Sequence, residues 1–231
     1  MISLKRILSF VVIIMINDPL YAQSDMGANP FFNDGNGRPL YLKTNYKSEG
    51  SPYLFEEYFP ANLVTIDGRI YKNIKVKVNL LDNEIYYLLP DGKEMVSIMP
   101  IKKITFEPGI KTIGDSFVFT GVTLPINTPG AAFYQVCEEG KMTLLKQISI
   151  IYKDLQEYGN TSITRSFSRK ERLFVYDNAG SLEKAEGEKA ILELLADRKK
   201  DVQQFITTNH SNLKREKDLI ALFKYYNSLH R

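Results

Sequence analysis

Residues 70–80 read Ile70-Tyr71-Lys72-Asn73-Ile74-Lys75-Val76-Lys77-Val78-Asn79-Leu80. Successive side chains of a strand point to opposite faces, so this alternation predicts a half-buried β-strand. The even-numbered residues form its apolar face, with Lys72 as the exception, and the odd-numbered residues form a polar face with Tyr71. A lysine at the end of a strand can lay its stem along apolar surface and keep its ammonium in water. We therefore expect the even-numbered side chains in the core.

Turn signals on both sides of this strand predict an antiparallel meander. Asp67-Gly68 precedes the strand as a hairpin pair, Asp82-Asn83 follows it, and Pro90-Asp91-Gly92 comes next. Further strands are expected over residues 84–89, 95–99 and 101–106. Because the connections are short, consecutive strands should pair as neighbours in an antiparallel, strongly curled sheet.

The rest of the β region is less regular. Residues 133–137 and 142–152 predict a second hairpin, and residues 167–176 predict another strand. The Gly- and Pro-rich segment 107–130 predicts a long loop with one short strand over residues 117–119. This loop is either a functional loop or a surface crossover between two parts of the sheet. Residues 23–50 are rich in Asn, Gly, Asp and Pro and predict an irregular N-terminal arm.

The apolar period becomes helical after residue 180. Apolar side chains recur at spacings of three and four residues in three stripes: Ile191, Leu194 and Leu195; Val202, Phe205 and Ile206; Leu219, Leu222, Phe223 and Tyr226. The pattern predicts two or three α-helices whose stripes bury against the sheet or one another. The predicted fold class is α+β, an antiparallel, curled β-meander (residues 51–180) packed with a C-terminal helical segment (residues 181–231).

The first 22 residues have the order of a secretory signal peptide. Lys5 and Arg6 precede the apolar run 7–16, and Ala22 stands at the expected cleavage edge before Gln23. The run is about half the roughly 20 apolar residues that a membrane-spanning helix needs. We therefore expect export to the periplasm or exterior, with no stable membrane span after cleavage.

Charge and cysteine content limit the classes of function. The formal net charge is +3 and falls to +2 when Lys5, Arg6 and Asp18 leave with the signal peptide. Nucleic-acid-binding domains show clustered basic faces, which this interspersed pattern lacks, so no nucleic-acid partner is expected. Cys137 is the only cysteine, so the domain has no internal disulfide, and we expect its thiol in the core.

The sequence carries no recognisable catalytic or metal-binding motif. Neither His210 nor His230 has a neighbouring Asp or Ser in a triad-like context, and no P-loop, zinc or dinucleotide motif is present. The adjacent pairs Glu56-Glu57 and Glu138-Glu139 are expected to be solvated surface. We expect no cofactor, no metal and no catalytic residue.

Aromatic residues are the distinctive part of the composition, with 14 Tyr, 13 Phe and no Trp. Aromatic side chains dominate contact energies in recognition surfaces, so a cluster of them is a candidate site for a glycan, peptide or lipid. The alternative, which we favour, is that they fill the core between the meander and the helices. The candidate interaction surface consists of Tyr53, Phe55, Tyr58, Phe59, Tyr86 and Tyr87.

One motif supports a family resemblance. The segment Ile66-Asp67-Gly68-Arg69-Ile70-Tyr71-Lys72-Asn73-Ile74, together with residues 50–58 and 79–84, resembles a group of secreted or periplasmic proteins of Bacteroidetes that have no known function. Those proteins combine a β-meander with a helical C-terminus, and the resemblance covers most of residues 50–106 and 187–229. It implies location and fold, and it transfers no catalytic residue.

The leading expectation is a non-catalytic binding or interaction module of the periplasm or cell envelope, with an envelope protein, glycan or peptide as partner. Two alternatives stay open. A hydrolase of envelope polymers would need two carboxylates facing each other across a cleft. A carrier of a small apolar ligand would need a closed apolar cavity.

Overall fold

The computed structural model describes residues 37–40, 46–107, 117–121, 133–156, 162–177 and 179–230. The predicted signal peptide (residues 1–22), most of the predicted arm, and residues 108–116 and 122–130 of the predicted loop lie outside these ranges. The described strands are β1 (Gly37–Pro39), β2 (Tyr46–Glu49), β3 (Phe59–Thr65), β4 (Ile70–Asn79), β5 (Glu84–Leu88), β6 (Glu94–Ser97), β7 (Ile101–Phe106), β8 (Phe117–Gly121), β9 (Phe133–Glu138), β10 (Met142–Gln156), β11 (Ile163–Asp177) and β12 (Leu182–Lys184).

These strands form one 12-stranded sheet with the order β1-β6-β5-β4-β3-β7-β8-β9-β10-β11-β12, and β2 lies parallel beside β11. The other pairings are antiparallel, which confirms the predicted α+β class. Consecutive strands are neighbours within β3–β6 and within β7–β12, but β7 pairs with β3 and not with β6, which corrects the prediction that all consecutive strands pair. Strands β1 and β2 fall within the segment for which turn-rich composition predicted irregular structure, and β12 falls within the predicted helical segment.

The connection between β6 and β7 requires the sheet to curl. Four strand spacings separate these strands in the sheet order, which in a flat sheet would span about 19 Å. The chain links Ser97 to Ile101 through residues 98–100, and this length of chain reaches at most about 14 Å. Strands β3–β7 therefore bend into a half-barrel, whose interior is the first hydrophobic core.

This first core confirms part of the predicted apolar face and corrects the rest. Ile74, Val76 and Val78 are buried as expected. Ile70, however, is 62% exposed and Tyr71 only 6% exposed, so the start of β4 has the opposite phase. Asn73 has a positive φ of 55°, and the register against β3 shifts at this point, which makes it a β-bulge. One extra residue reverses the alternation before it.

The helices confirm the predicted stripes. The described helices are α1 (Gly187–Leu194), α2 (Lys199–Thr208) and α3 (Glu216–Ser228), with a short 3-10 helix (Ala196–Arg198) before α2. They cover the base of β9–β11 and enclose a second core. Its buried apolar side chains are Leu144, Val175, Ala185, Ile191, Leu195, Val202, Leu219, Leu222, Phe223 and Tyr226.

Strands β10 and β11 form a hairpin that extends beyond the neighbouring strand. Each is 15 residues long, and they pair from Met142 opposite Asp177 to Gln156 opposite Ile163. Strand β9 accompanies β10 only as far as the pair Gln147 and Tyr134. The even-numbered side chains of β10 form the face that covers the two cores, here called the inner face, and the odd-numbered ones form the outer face.

Candidate functional site

A cleft of about 580 Å3 opens where residues 50–59 approach the inner face of the β10–β11 hairpin. One wall is the chain before β3, and the other consists of Ile150 on β10 with Phe167 and Arg169 on β11. Three of the six aromatic residues of the candidate surface, Tyr53, Phe55 and Phe59, line it. The structure therefore brings half of the predicted set to one site.

Backbone hydrogen bonds fix the first wall on the end of β4. The Leu54 N–H donates to the Val78 carbonyl at 2.9 Å, and the Leu80 N–H donates to the Pro52 carbonyl at 2.9 Å. Gly50 begins this wall with a positive φ of 72°, and a Cβ there would lie 2.8 Å from the Phe167 carbonyl oxygen. Glycine is thus required for the two walls to meet this closely.

The floor of the cleft is aromatic and anchored in the first core. The Phe55 ring packs edge-on against Phe59, with centroids 5.3 Å apart, and against Phe106, with centroids 5.6 Å apart. Phe167 is partly buried against the same core. Edge-to-face packing holds each ring in one orientation, so the floor presents fixed apolar surface to a ligand.

The rim is polar and carries both signs of charge. Glu56 and Glu57 are exposed on one wall, as expected for solvated glutamates, and Arg169 is exposed on the other. Arg169 Nε donates to Glu171 Oε1 at 2.9 Å along the same strand. Among the described lining residues, the carboxylates belong to one wall only, so the cleft lacks an opposed carboxylate pair.

The tyrosines of the candidate surface mostly surround a lysine of this chain. Lys77 Nζ lies 3.9 Å from the ring centroid of Tyr53 and 5.8 Å from that of Tyr58. Tyr86 packs against Tyr53 with centroids 6.0 Å apart. Burial raises the pKa of Tyr53 to about 12, and it also raises the pKa of Tyr58 and of Tyr86. These hydroxyls stay protonated near neutral pH, and that of Tyr86 accepts a hydrogen bond from Asn79 Nδ2 at 2.8 Å.

Tyr86 and Tyr87 do not belong to a surface, which corrects two members of the candidate set. Tyr86 is 3% and Tyr87 0% exposed. Strand β1 crosses above Tyr87, and a Cβ at Gly37 would lie 2.2 Å from the Tyr87 hydroxyl oxygen. Both rings are buried, but Tyr87 lies in the first core and not between the meander and the helices, where the core interpretation placed the aromatic side chains.

The residues that complete the cleft could not be found from sequence patterns. Ile150, Phe167 and Arg169 follow Phe55 by about a hundred residues, and only the register of the long hairpin places them opposite it. The alternation of apolar and polar residues in β10 and β11 predicts two strands. It does not predict that these strands lie opposite residues 50–59.

A second polar cluster lies among the helices. Asp197 Oδ1 accepts a hydrogen bond from the Tyr226 hydroxyl at 2.8 Å, and Asp197 Oδ2 accepts one from Lys141 Nζ at 2.6 Å. His230 Nε2 lies 3.3 Å from Asp197 Oδ2. No sequence pattern indicates this approach of Asp197 and His230, because the two residues are far apart along the chain. These contacts of the Asp197 carboxylate hold the 3-10 helix and α3 against the β9–β10 turn.

Among the described residues, no group of His, Cys, Asp and Glu side chains could hold a metal ion. None of the helices in the described part of the chain is both long and apolar enough to cross a membrane. Comparison of the chain with models of protein families, with curated proteins and with solved structures finds no match.

Proposed function

We propose that this protein is an exported, non-catalytic binding module of the periplasm or cell envelope, and that its ligand occupies the cleft between residues 50–59 and the β10–β11 hairpin. The observation that supports this most directly is the fixed aromatic floor of Phe55, Phe59 and Phe167 at the bottom of a cleft of about 580 Å3. Ligand sites combine apolar and aromatic lining with a few polar groups in this way.

The rim suggests the chemistry of the ligand. Glu56, Glu57 and Arg169 offer hydrogen-bond acceptors and donors above an apolar floor. A segment of glycan or peptide presents both features, an apolar ring face or side chain for the floor and polar groups for the rim. The cleft is open to solvent and not enclosed, which suits a segment of a longer chain better than the enclosed apolar molecule of the carrier hypothesis.

The hydrolase hypothesis has less support from the same geometry. Glycoside hydrolysis uses two carboxyl groups on opposite sides of the scissile bond. The described residues place Glu56 and Glu57 on one wall and Arg169 on the other. Binding therefore accounts for these side chains more directly than acid–base catalysis does.

Blocking the cleft tests the proposal. Glu57→Trp would fill the opening from an exposed position without removing a core contact. Its matched control is Glu188→Trp, at an exposed position in the first turn of α1. Immobilised mature proteins are incubated with envelope glycan and peptide fractions, and bound material is identified by mass spectrometry. We expect a ligand retained by wild type and the control but lost from Glu57→Trp. Equal retention by all three proteins would refute the cleft as the site.

Export is tested separately. The signal-peptide pattern of residues 1–22 predicts cleavage after Ala22. N-terminal sequencing of the protein recovered from its native compartment should begin at Gln23. A retained Met1 would contradict export through a cleaved signal peptide and would leave the cleft hypothesis untouched.

A further inference from the structure

Among the described residues, no strand pairs with the far part of β10 on the side opposite β11. On the side of β10 opposite β11, the described residues provide a paired strand only up to Gln147. Residues 149–155 of β10 continue for about 23 Å beyond this point. Such an edge presents alternating N–H and C=O groups to which another extended chain can add as a strand.

The outer face along this edge is apolar and cationic. Ile151 is 39% and Leu155 53% exposed, and Lys153 is exposed between them. Across the hairpin their partners on β11 are Ser168, Ser166 and Thr164, none of which carries a charge. Lys170 and Arg172 lie farther along the same face, also exposed. Among the described residues no carboxylate forms an ion pair with Lys153.

On the inner face at the same level, the charged side chains of Asp154 and Arg165 pair with each other. Arg165 donates to both carboxylate oxygens of Asp154, each at 2.7 Å. Its guanidinium also lies between two rings, 4.2 Å from the centroid of Tyr46 and 4.0 Å from that of Tyr152. This clamp ties β2 to the hairpin and restrains the side chains on both strands. A restrained edge loses less conformational entropy when a strand is added.

We propose that residues 149–155 of β10 bind an extended acidic peptide segment as an added strand. In this arrangement an acidic side chain of the peptide lies opposite Lys153 on the outer face. Apolar side chains two positions before and after it lie opposite Ile151 and Leu155. Directly opposite side chains of paired strands share one face, so backbone pairing and side-chain pairing are satisfied together. This surface is distinct from the cleft, which lies on the inner face.

Charge favours an acidic peptide over a second copy of this chain. Two β10 edges paired antiparallel about Lys153 would place two ammonium groups opposite each other, and like charges in that position are destabilising. Lysine on an open edge is a common device against such self-pairing. An acidic side chain of a bound peptide would instead form an attractive ion pair with Lys153.

The binding test uses a blocked heptapeptide, Thr-Val-Thr-Glu-Thr-Val-Thr, and a control peptide in which Lys replaces Glu. Titration calorimetry of the mature protein should show saturable binding of the acidic peptide and at least fivefold weaker binding of the control. Lys153→Glu should weaken the acidic peptide about tenfold, since an attractive pair becomes repulsive. Lys75→Glu, at an exposed position of β4, should change its affinity less than twofold.

Backbone protection separates strand addition from simple charge attraction. Amide hydrogen exchange over residues 149–155 should slow at least tenfold in the complex with the acidic peptide. Glu57→Trp should bind the peptide like wild type, which keeps this proposal distinct from that for the cleft. Failure to bind, equal binding of both peptides, or binding without protection of these amides would overturn the inference. Concentration-dependent dimerisation with the same protection in the absence of peptide would also overturn it, in favour of a second copy.

Discussion

Asn227 on α3 clamps the backbone of Met142 at the start of β10. Asn227 Oδ1 accepts a hydrogen bond from the Met142 N–H at 3.1 Å, and Asn227 Nδ2 donates to the Met142 carbonyl at 2.9 Å. The side-chain amide thus imitates a neighbouring strand. Asn227 is only 6% exposed, and both hydrogen bonds are partly buried. Gly140 makes room for it, since a Cβ there would lie 2.2 Å from the Asn227 side chain.

Asn227→Ala should destabilise the protein by about 1–3 kcal/mol, because two hydrogen bonds are lost and two partly buried backbone groups of Met142 keep no protein partner. Urea unfolding at neutral pH measures the change. Gly140→Ala should also destabilise, by displacing the same amide. As a matched control, Asn212→Ala at a mostly polar turn before α3 should cost less. Equal stability of Asn227→Ala and wild type would show that the clamp contributes nothing.

The bulge at Asn73 predicts a strong dependence on residue type. The positive φ of 55° is accessible to glycine and tolerated by asparagine, but it is costly for a β-branched side chain. Asn73→Val should therefore destabilise by about 1–2 kcal/mol, whereas Asn73→Gly should stay within about 1 kcal/mol of wild type. Because Asn73 is exposed, neither substitution removes a core contact. The difference in the free energy of unfolding between the two variants therefore measures backbone strain. A valine variant as stable as the glycine variant would contradict this.

The same bulge shows why the fold could be predicted only in part. Periodicity correctly predicts that Ile74, Val76 and Val78 are buried, and likewise Leu222 and Phe223. The buried face of a strand or helix can be identified from its own sequence without knowing what packs against it. It failed for Ile70 and Tyr71, because a bulge is defined against the neighbouring strand. Asn73 lies in an apparently regular alternation, and nothing local identifies it as the extra residue.

The site was less predictable than the fold for a related reason. Tyr53, Phe55 and Phe59 were selected for their aromatic character and do line the cleft, whereas Tyr87 was selected on the same ground and is buried. Composition cannot separate these cases. The opposite wall depends on the curl of β3–β7 and on the register of a hairpin with 15 residues in each strand. Both are properties of long-range pairing.

The thiol of Cys137 should be unreactive in the native protein. It packs partly buried against the second core, and burial raises its pKa to about 12. Only the thiolate attacks disulfide reagents, and very few molecules carry it at pH 8 when the pKa is raised this far. Labelling with Ellman's reagent should be slow in buffer and rapid in urea, where one thiol reacts. Prompt stoichiometric labelling of folded protein at pH 8 would refute the packed position.

The cluster around Asp197 should make stability depend on pH. Desolvation pushes the pKa of Asp197 up, but hydrogen bonds from Lys141 and Tyr226 outweigh it and hold this pKa below its ordinary value. A lowered pKa in the folded state means that the carboxylate stabilises the fold above the ordinary value of about 3.9 and loses this effect as pH falls through the lowered one. Asp197→Asn should therefore cost about 1 kcal/mol at pH 7, a modest amount because the ion pair with Lys141 is partly exposed.

At pH 3 and below, the difference between wild type and Asp197→Asn should shrink, since the wild-type carboxyl becomes protonated and resembles the neutral amide. Urea unfolding at pH 7, 5, 4 and 3 measures this difference directly. Glu188→Gln, at an exposed position of α1, is the control for removing one negative charge and should not reproduce the trend. A difference that stays constant from pH 7 to pH 3 would show that Asp197 acts through its shape alone, and not through its charge on Lys141 and Tyr226.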